Sequence, residues 1–375
     1  MKLQHKFGLL LSSLSLFSFI SSAEAEPKVV TSIKPIHSLV SYVMDGVGRP
    51  DLLVDGSSSP HTFQLKPSHA TMLQEADIVF WIGEDLESFL ETPLDSIAAS
   101  AKRVTLMDSD QIELLKFREK NVFDDHHDDH DDHDEHEDHA DGHDDHDEHD
   151  DHDEHDDHDE HEGHDDHDEH DEHAEHDEHE GPDDHEEHAD GHDDHDEHEG
   201  HDDHGHHHGE HDIHFWLDPE IAKTIVSIAS EELSEIDPAN KSIYSSNAAN
   251  AINDLDQLID NTRSKINSDA TYIVFHDAYQ YFEQRFGIEV IGALTVNPEV
   301  LPGAKQLAEI REVIEHESVN CLFSEPQFNP SIAETIASDT GIKSAVLDPL
   351  GAELEPGKDL YFDLIGNMAS SFENC

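Results

Sequence analysis

The chain is predicted to be an α/β protein: two strand–helix repeat domains of about four parallel-type strands each, joined by one long rigid helix, with a candidate metal site in the cleft between them. Three observations predict this. Short apolar runs alternate with helical patterns in two separate stretches of chain. The clearest of these runs, Asp77–Ile82, is continuously apolar after the Asp, as expected for an interior parallel strand. Between the two stretches lies a helical pattern, Asp237 to about Asn267, that is long for a globular protein and reads as a connecting spine.

Taken in order, Val29-Val30-Thr31-Ser32-Ile33 reads as a buried strand. Pro35 opens a helix that runs to about Asp45 and ends at Gly46. Asp51–Asp55 is a short strand followed by the loop Gly56–Phe63. Pro67 starts a helix ending near Ala76. Asp77–Ile82 is the clearest strand of this half, and Gly83 turns the chain. Helix Glu87–Ala99 and strand Arg103–Leu106 complete the first repeat. After a long interruption, Asp218 is a helix N-cap with Pro219 at the first helical position, and that helix runs to about Ile236. The spine places Ile252, Leu255, Leu258, Ile259, Thr262 and Ile266 on one face. Strand Tyr272–Phe275 then ends at His276, and Asp277 is expected to cap a helix to Phe286, closed by Gly287. Strand Ile288–Leu294, helix 304–317, strand Asn320–Phe323, helix Pro330–Thr340, strand Lys343–Leu347 and helix Asp359–Phe372 follow.

The interruption is Asp124–Asp212, which holds 30 of the 37 histidines and 48 of the 91 acidic residues, with no Lys or Arg. It has no apolar side chain larger than Ala or Pro to offset the entropy of ordering, so it is expected to be a disordered tether. Imidazole and carboxylate are ligands that Zn²⁺ uses, and a merely solvating linker would need no histidine. Auxiliary weak metal sites are expected at residues such as His126, His127, His206, His207, His208 and His211. The formal charge is −71, and removing the tract's 48 carboxylates leaves −23 elsewhere. That excludes nucleic acid, whose phosphates need Lys and Arg, and suits a cation ligand.

The N-terminus reads as an export signal. Lys2 and Lys6 precede an apolar run, Phe7–Ile20, and Ala23-Glu24-Ala25 fits a small-x-small cleavage site. Cleavage is expected after Ala25, leaving no direct membrane insertion; an uncleaved anchor is the alternative. Export implies an oxidising compartment, where Cys321 and Cys375 allow one pairing. Closing their separation would contribute roughly 4 kcal/mol in the chain-entropy model, two free thiols being the alternative. The domain organisation expected is a signal peptide over 1–25, an N-terminal α/β domain over 26–236 that carries the tract, a connecting helix over 237–268 and a C-terminal α/β domain over 269–375.

Few histidines remain outside the tract. His5 leaves with the signal, and His37 and His69 read as surface or structural residues on helices. His61 lies in a loop after a strand, His214 precedes a capped helix, and His276 ends a strand. Ligands in open α/β sheets bind beyond the carboxyl ends of strands, so two facing sheets would gather these three. Three neutral imidazoles with one open position suit Zn²⁺, whereas Mn²⁺ would call for more carboxylate.

These motifs carry a family resemblance. Ser59-Pro60-His61-Thr62-Phe63, His214-Phe215-Trp216-Leu217-Asp218-Pro219, Phe275-His276-Asp277-Ala278-Tyr279, Ser324-Glu325-Pro326-Gln327-Phe328 and Leu347-Asp348-Pro349-Leu350-Gly351 resemble those of periplasmic zinc-binding proteins of high-affinity zinc ABC importers. The loop Asn297-Pro298-Glu299…Pro302-Gly303, the His-rich insertion and the two cysteines match as well. The resemblance implies a periplasmic solute-binding protein, not an enzyme. It also implies metal ligands at His61, His214 and His276, a Cys321–Cys375 bridge, and an inner-membrane ABC zinc permease as partner, with the chain itself a monomer. Some members carry Glu just before the first ligand. Here Pro60 stands there, so water, a tract histidine or Asp348 is left for the fourth position. In manganese relatives an Asp at the place of Asp348 is a ligand; with three histidines present, Asp348 is expected nearby without coordinating. Glu325 is expected to order the cleft by hydrogen bonds. The alternative readings are a periplasmic zinc buffer or storage protein, a manganese-type transport protein, and a zinc hydrolase, against which stands the absence of HExxH.

Overall fold

The computed structural model describes residues 26–118, 209–266, 270–295, 297–298 and 300–375. The signal sequence and nearly all of the tract, with His126, His127, His206, His207 and His208, lie outside the described residues. Two sheets of four parallel strands form the frame. The first contains β1 (Val29–Ile33), β2 (Asp51–Val54), β3 (Ile78–Trp81) and β4 (Lys102–Thr105), in the order β2-β1-β3-β4. The second contains β5 (Thr271–His276), β6 (Glu289–Thr295), β7 (Cys321–Ser324) and β8 (Lys343–Val346), in the order β6-β5-β7-β8. The connecting helices of the first half are α1 (Lys34–Val43), α2 (Pro67–Glu75), α3 (Ser88–Ser96) and α4 (Pro219–Ile236). Those of the second half are α6 (Gln280–Phe286), α7 (Ala304–His316), α8 (Ser331–Thr340) and α9 (Leu360–Asn374), with α5 (Lys241–Lys265) between the sets. Among the described residues no helix is long and apolar enough to cross a membrane.

The inner strands are covered on both faces, whereas the edge strands β4 (Lys102-Arg103-Val104-Thr105) and β8 (Lys343-Ser344-Ala345-Val346) are polar and largely uncovered. All of β1 and β3 is buried. Alternation on β5 divides two cores: Tyr272 and Val274 enter the large cluster shared with α1, α4, α5 and α9, while Ile273 and Phe275 enter a smaller one under α7 and α8. His276 ends the strand, where its ring meets those of His214 (5.0 Å between centroids) and Phe328 (5.9 Å). Helix ends follow the sequence signals. The Asp218 carboxylate accepts from Glu220 N at 2.8 Å, and Gly287 closes α6 in the left-handed conformation.

Three expectations are corrected. Asp277 does not cap α6, which starts at Gln280 with Tyr279 at its N-cap; the Asp277 carboxylate faces the Arg118 guanidinium instead (3.2 Å). Glu87 does not begin α3 but is buried on the preceding turn, where its Oε2 accepts from Ile82 N (2.8 Å) and Gly83 N (3.3 Å). The buried stripe of α5 is Tyr244, Ala248, Ala251, Leu255, Ile259 and Thr262, with Ile252 and Leu258 half-buried and Ile266 at the C-cap. Alanines let α5 approach its neighbours closely, and a search for large apolar residues passes over them.

Side chains tie the two halves together. Arg285 of α6 grips Asp218 with two hydrogen bonds of 2.7 Å. The buried Lys34 ammonium donates to the carbonyl oxygens of Gly351 (3.1 Å), Ala352 (2.8 Å) and Leu354 (3.0 Å). Cys321 and Cys375 form a disulfide that fastens the end of α9 to β7.

Candidate metal centre

Three local structures bring the three histidines to one point. His61 sits on the loop between β2 and α2. Phe63 stacks on His69 (5.4 Å between centroids) and tilts against Phe89 (5.1 Å), which anchors the loop just beyond His61. His69 in turn accepts the Lys66 N–H at Nδ1 (3.2 Å), completing the helix start; burial, then the nearby Lys66 ammonium, holds its pKa low. His37 is buried, with Nε2 3.1 Å from Pro50 O, and burial lowers its pKa. Both are therefore structural histidines, and His316 is exposed at the end of α7.

His214 begins the 3-10 turn Phe215–Leu217, which carries Trp216 into the core with its indole N–H on Pro349 O (2.9 Å). His276 is the last residue of β5. His214 and His276 are buried and His61 is half-buried.

Their ring nitrogens face one another. His214 Nε2 and His276 Nε2 are 3.3 Å apart, and the donor atoms of all three residues lie within 4.8 Å of one another. Two nitrogens bound tetrahedrally at zinc distances of about 2.0–2.1 Å lie about 3.3–3.4 Å apart, so this pair already has the spacing of a tetrahedral edge. The space among the residues lining the site is about 10 Å³, room for one small ion or water.

Carboxylates fix the far side of two rings. His214 Nδ1 lies 2.8 Å from Asp212 Oδ1, which also accepts the His214 backbone N–H at 2.9 Å. His276 Nδ1 lies 3.0 and 3.1 Å from the two oxygens of Glu325. With Nδ1–H directed at a carboxylate, each Nε2 lone pair points into the site. Burial pulls the His276 pKa down, but Glu325, with Asp277 and Asp212, outweighs it and the net direction is up. Burial pushes the Asp212 carboxyl up to about 7 against the His214 N–H.

Asp348 is engaged elsewhere. Its Oδ1 accepts from Gln327 Nε2 (2.9 Å), Leu350 N (3.0 Å) and Gly351 N (3.0 Å), and its Oδ2 from Ala352 N (2.6 Å). It holds the turn that follows β8 and is not one of the three residues whose donor atoms converge. His211 is half-buried and bridges to Lys116, apart from the cluster. The sequence reading missed Asp212, assigned by composition to the end of the tract. Its signal was the Asp-x-His spacing to His214, which an acidic run hides.

Two parallel α/β sheets with three convergent imidazoles define a two-sheet metal-binding protein. The chain belongs to the family described as the periplasmic zinc-uptake complex component A, ZnuA, whose family model matches residues 29–375. It is 41 % identical over 372 residues to the high-affinity zinc uptake system protein ZnuA of Brucella abortus, covering 98 % of each chain. It is 32 % identical over 373 residues to the protein of the same name from Yersinia pestis, covering 99 % of this chain and 97 % of that one. A ZnuA crystal structure superposes with a TM-score of 0.63 at 19 % identity, covering 92 % of this chain and 98 % of that chain. The AdcAII protein of Streptococcus pneumoniae does so with a TM-score of 0.59 at 20 % identity, covering 92 % and 99 %. These two likenesses speak for the fold.

Proposed function

We propose that this chain captures Zn²⁺ in the periplasm through His61, His214 and His276 and delivers it to an inner-membrane ABC permease. The observation that carries the reading is the 3.3 Å separation of two Nε2 atoms whose Nδ1 sides are held by carboxylates. The longest separation in the trio, at most 4.8 Å, exceeds a tetrahedral edge by at most ~1.5 Å. His61 lies on a loop and can close that gap. Export over residues 1–25, a monomeric state, and the division into 26–236, 237–268 and 269–375 belong to the same reading.

The manganese-type alternative needs Asp348 as a ligand, and that carboxylate is already held in the turn after β8 by four hydrogen bonds. The hydrolase alternative needs a general base beside the metal. Glu325 and Asp212 are engaged on imidazoles, which favours a carrier. The storage alternative rests on the tract alone.

The test is a zinc titration of the full chain, of His276→Ala, and of a deletion of residues 124–208. The expected result is one tight phase lost with His276→Ala and several weaker equivalents lost with the deletion. Turnover of esters or peptides by the zinc form would overturn the carrier reading. Loss of the tight phase on deletion, with the fold intact, would favour storage.

A further inference from the structure

The chain just before the His-rich tract pairs with the tract's last residues. Phe117 N–H donates to Glu210 O (3.0 Å) and Asp212 N–H donates to Leu115 O (2.9 Å), so residues 115–117 and 210–212 form a short antiparallel strap. The strap rests on the start of the second half. Gln280 Nε2 donates to Lys116 O (3.1 Å). The Tyr281 hydroxyl donates to Asp212 O (2.7 Å) and accepts from Leu115 N–H (2.9 Å), touching both arms at once. Arg118 pairs with Asp277 and Glu283. At its far end the strap reaches His214 through the Asp212 carboxylate.

We propose that this strap positions His214 and that Tyr281 is its positioning residue. An imidazole presents Nε2 in a fixed direction only as well as the group on Nδ1 is itself held. The Asp212 carboxylate is fixed by its own backbone. That backbone has one bond within the strap and one from Tyr281, which also binds the opposite arm. His214 thus follows the first half in sequence but takes its orientation from the second. Drawing α6 away from the strap loosens His214 while β5 still carries His276 and the 55–66 loop still carries His61. The site would open by releasing His214 first, so loss of the Tyr281 bonds alone would lower affinity. This rests on His214 being a ligand.

The test uses the full chain, Zn²⁺ as probe in competition with a chromophoric chelator, and the variants Tyr281→Phe and His214→Ala. Tyr281→Phe keeps the ring packed and removes both hydroxyl bonds. It is expected to weaken the tight phase about 10-fold, the lower end for an outer support of a metal ligand, and to leave the weaker tract phase unchanged. A purely structural role would lower the melting temperature and leave the affinity as in wild type. Nitrogen-15 spectra of the metal-free protein give the second readout: one His214 tautomer in wild type, two in exchange in Tyr281→Phe. Wild-type affinity together with a single tautomer in Tyr281→Phe overturns the proposal. Should that variant not fold, Gln280→Leu is expected to weaken the tight phase in the same direction by less, and wild-type affinity there overturns it equally. A tight phase that survives His214→Ala overturns the ligand assignment itself, which is a different result from either.

Discussion

The two sheets have the same strand order and use the same positions differently. In the first, Val29 of β1 pairs with Ile78 of β3; in the second, Tyr272 of β5 pairs with Cys321 of β7. Counting forward from these pairs, Ile33 and His276 hold the same register at the carboxyl end of the central strand. Ile33 is buried in the large core, and His276 faces His61 and His214 in the candidate metal centre. A buried glutamate follows the third strand in both. Glu87, beyond β3, takes the N–H groups of a backbone turn; Glu325, beyond β7, takes the Nδ1 side of His276. One sheet places a buried isoleucine where the other places a member of the three-histidine cluster, and the first half delivers its own histidines from a loop and from the end of the strap. A shared topology therefore fixes where a site can lie without fixing which strand contributes to it.

Breaking the matched positions separates the two roles. His276→Ala is expected to abolish the tight zinc phase, read by chelator competition. Ile33→Ala at the same register is expected to cost roughly 2–5 kcal/mol of stability, read by denaturant unfolding, while a tight phase persists in the folded fraction. The disulfide is the next largest effect. Cys321→Ser with Cys375→Ser opens a sequence separation of 54 residues and should lower stability by roughly 4 kcal/mol in the chain-entropy model, with zinc affinity kept.

The glutamates sharpen the contrast. Burial pushes the Glu87 carboxyl up to about 7. Its folded pKa lies above its unfolded value, so its contribution to stability is full below about pH 4.5 and is lost as pH rises through about 7. Glu87→Gln removes that loss. The variant should match wild type near pH 4 and gain up to about 3 kcal/mol at pH 8, measured as melting temperature against pH. Glu325→Gln should instead weaken zinc binding by about 10–100-fold through His276. If Glu87→Gln altered zinc affinity as strongly as Glu325→Gln, the division of labour between the halves would be wrong.

Much of the frame was legible because inner strands such as β3 are apolar runs covered on both faces, and because Pro219, Gly287 and Gly341 punctuate helices for local reasons. The gathering of His61, His214 and His276 was legible from strand-end topology. What was hidden is held by partners far away in sequence. Asp277 looks like an N-cap until Arg118 is beside it, 159 positions away. Asp212 looks like any tract carboxylate until burial and His214 single it out. Tyr281 carries no sequence signal for its bonds to residues 115 and 212. Local chemistry can be read from the chain; the second partner of a polar group requires the fold.

The Lys34 ammonium offers a further use. Its three protons are directed at three carbonyl oxygens of the opposite half, and its side chain is 4 % exposed. Amine-reactive reagents attack a free, accessible nitrogen, so Lys34 should resist acylation while surface lysines such as Lys305 (85 % exposed) react at once. Each separation of the halves would expose this one amine. Its labelling rate, followed by peptide mass spectrometry, is then a built-in clock of how often the two sheets part, with no probe attached to the protein.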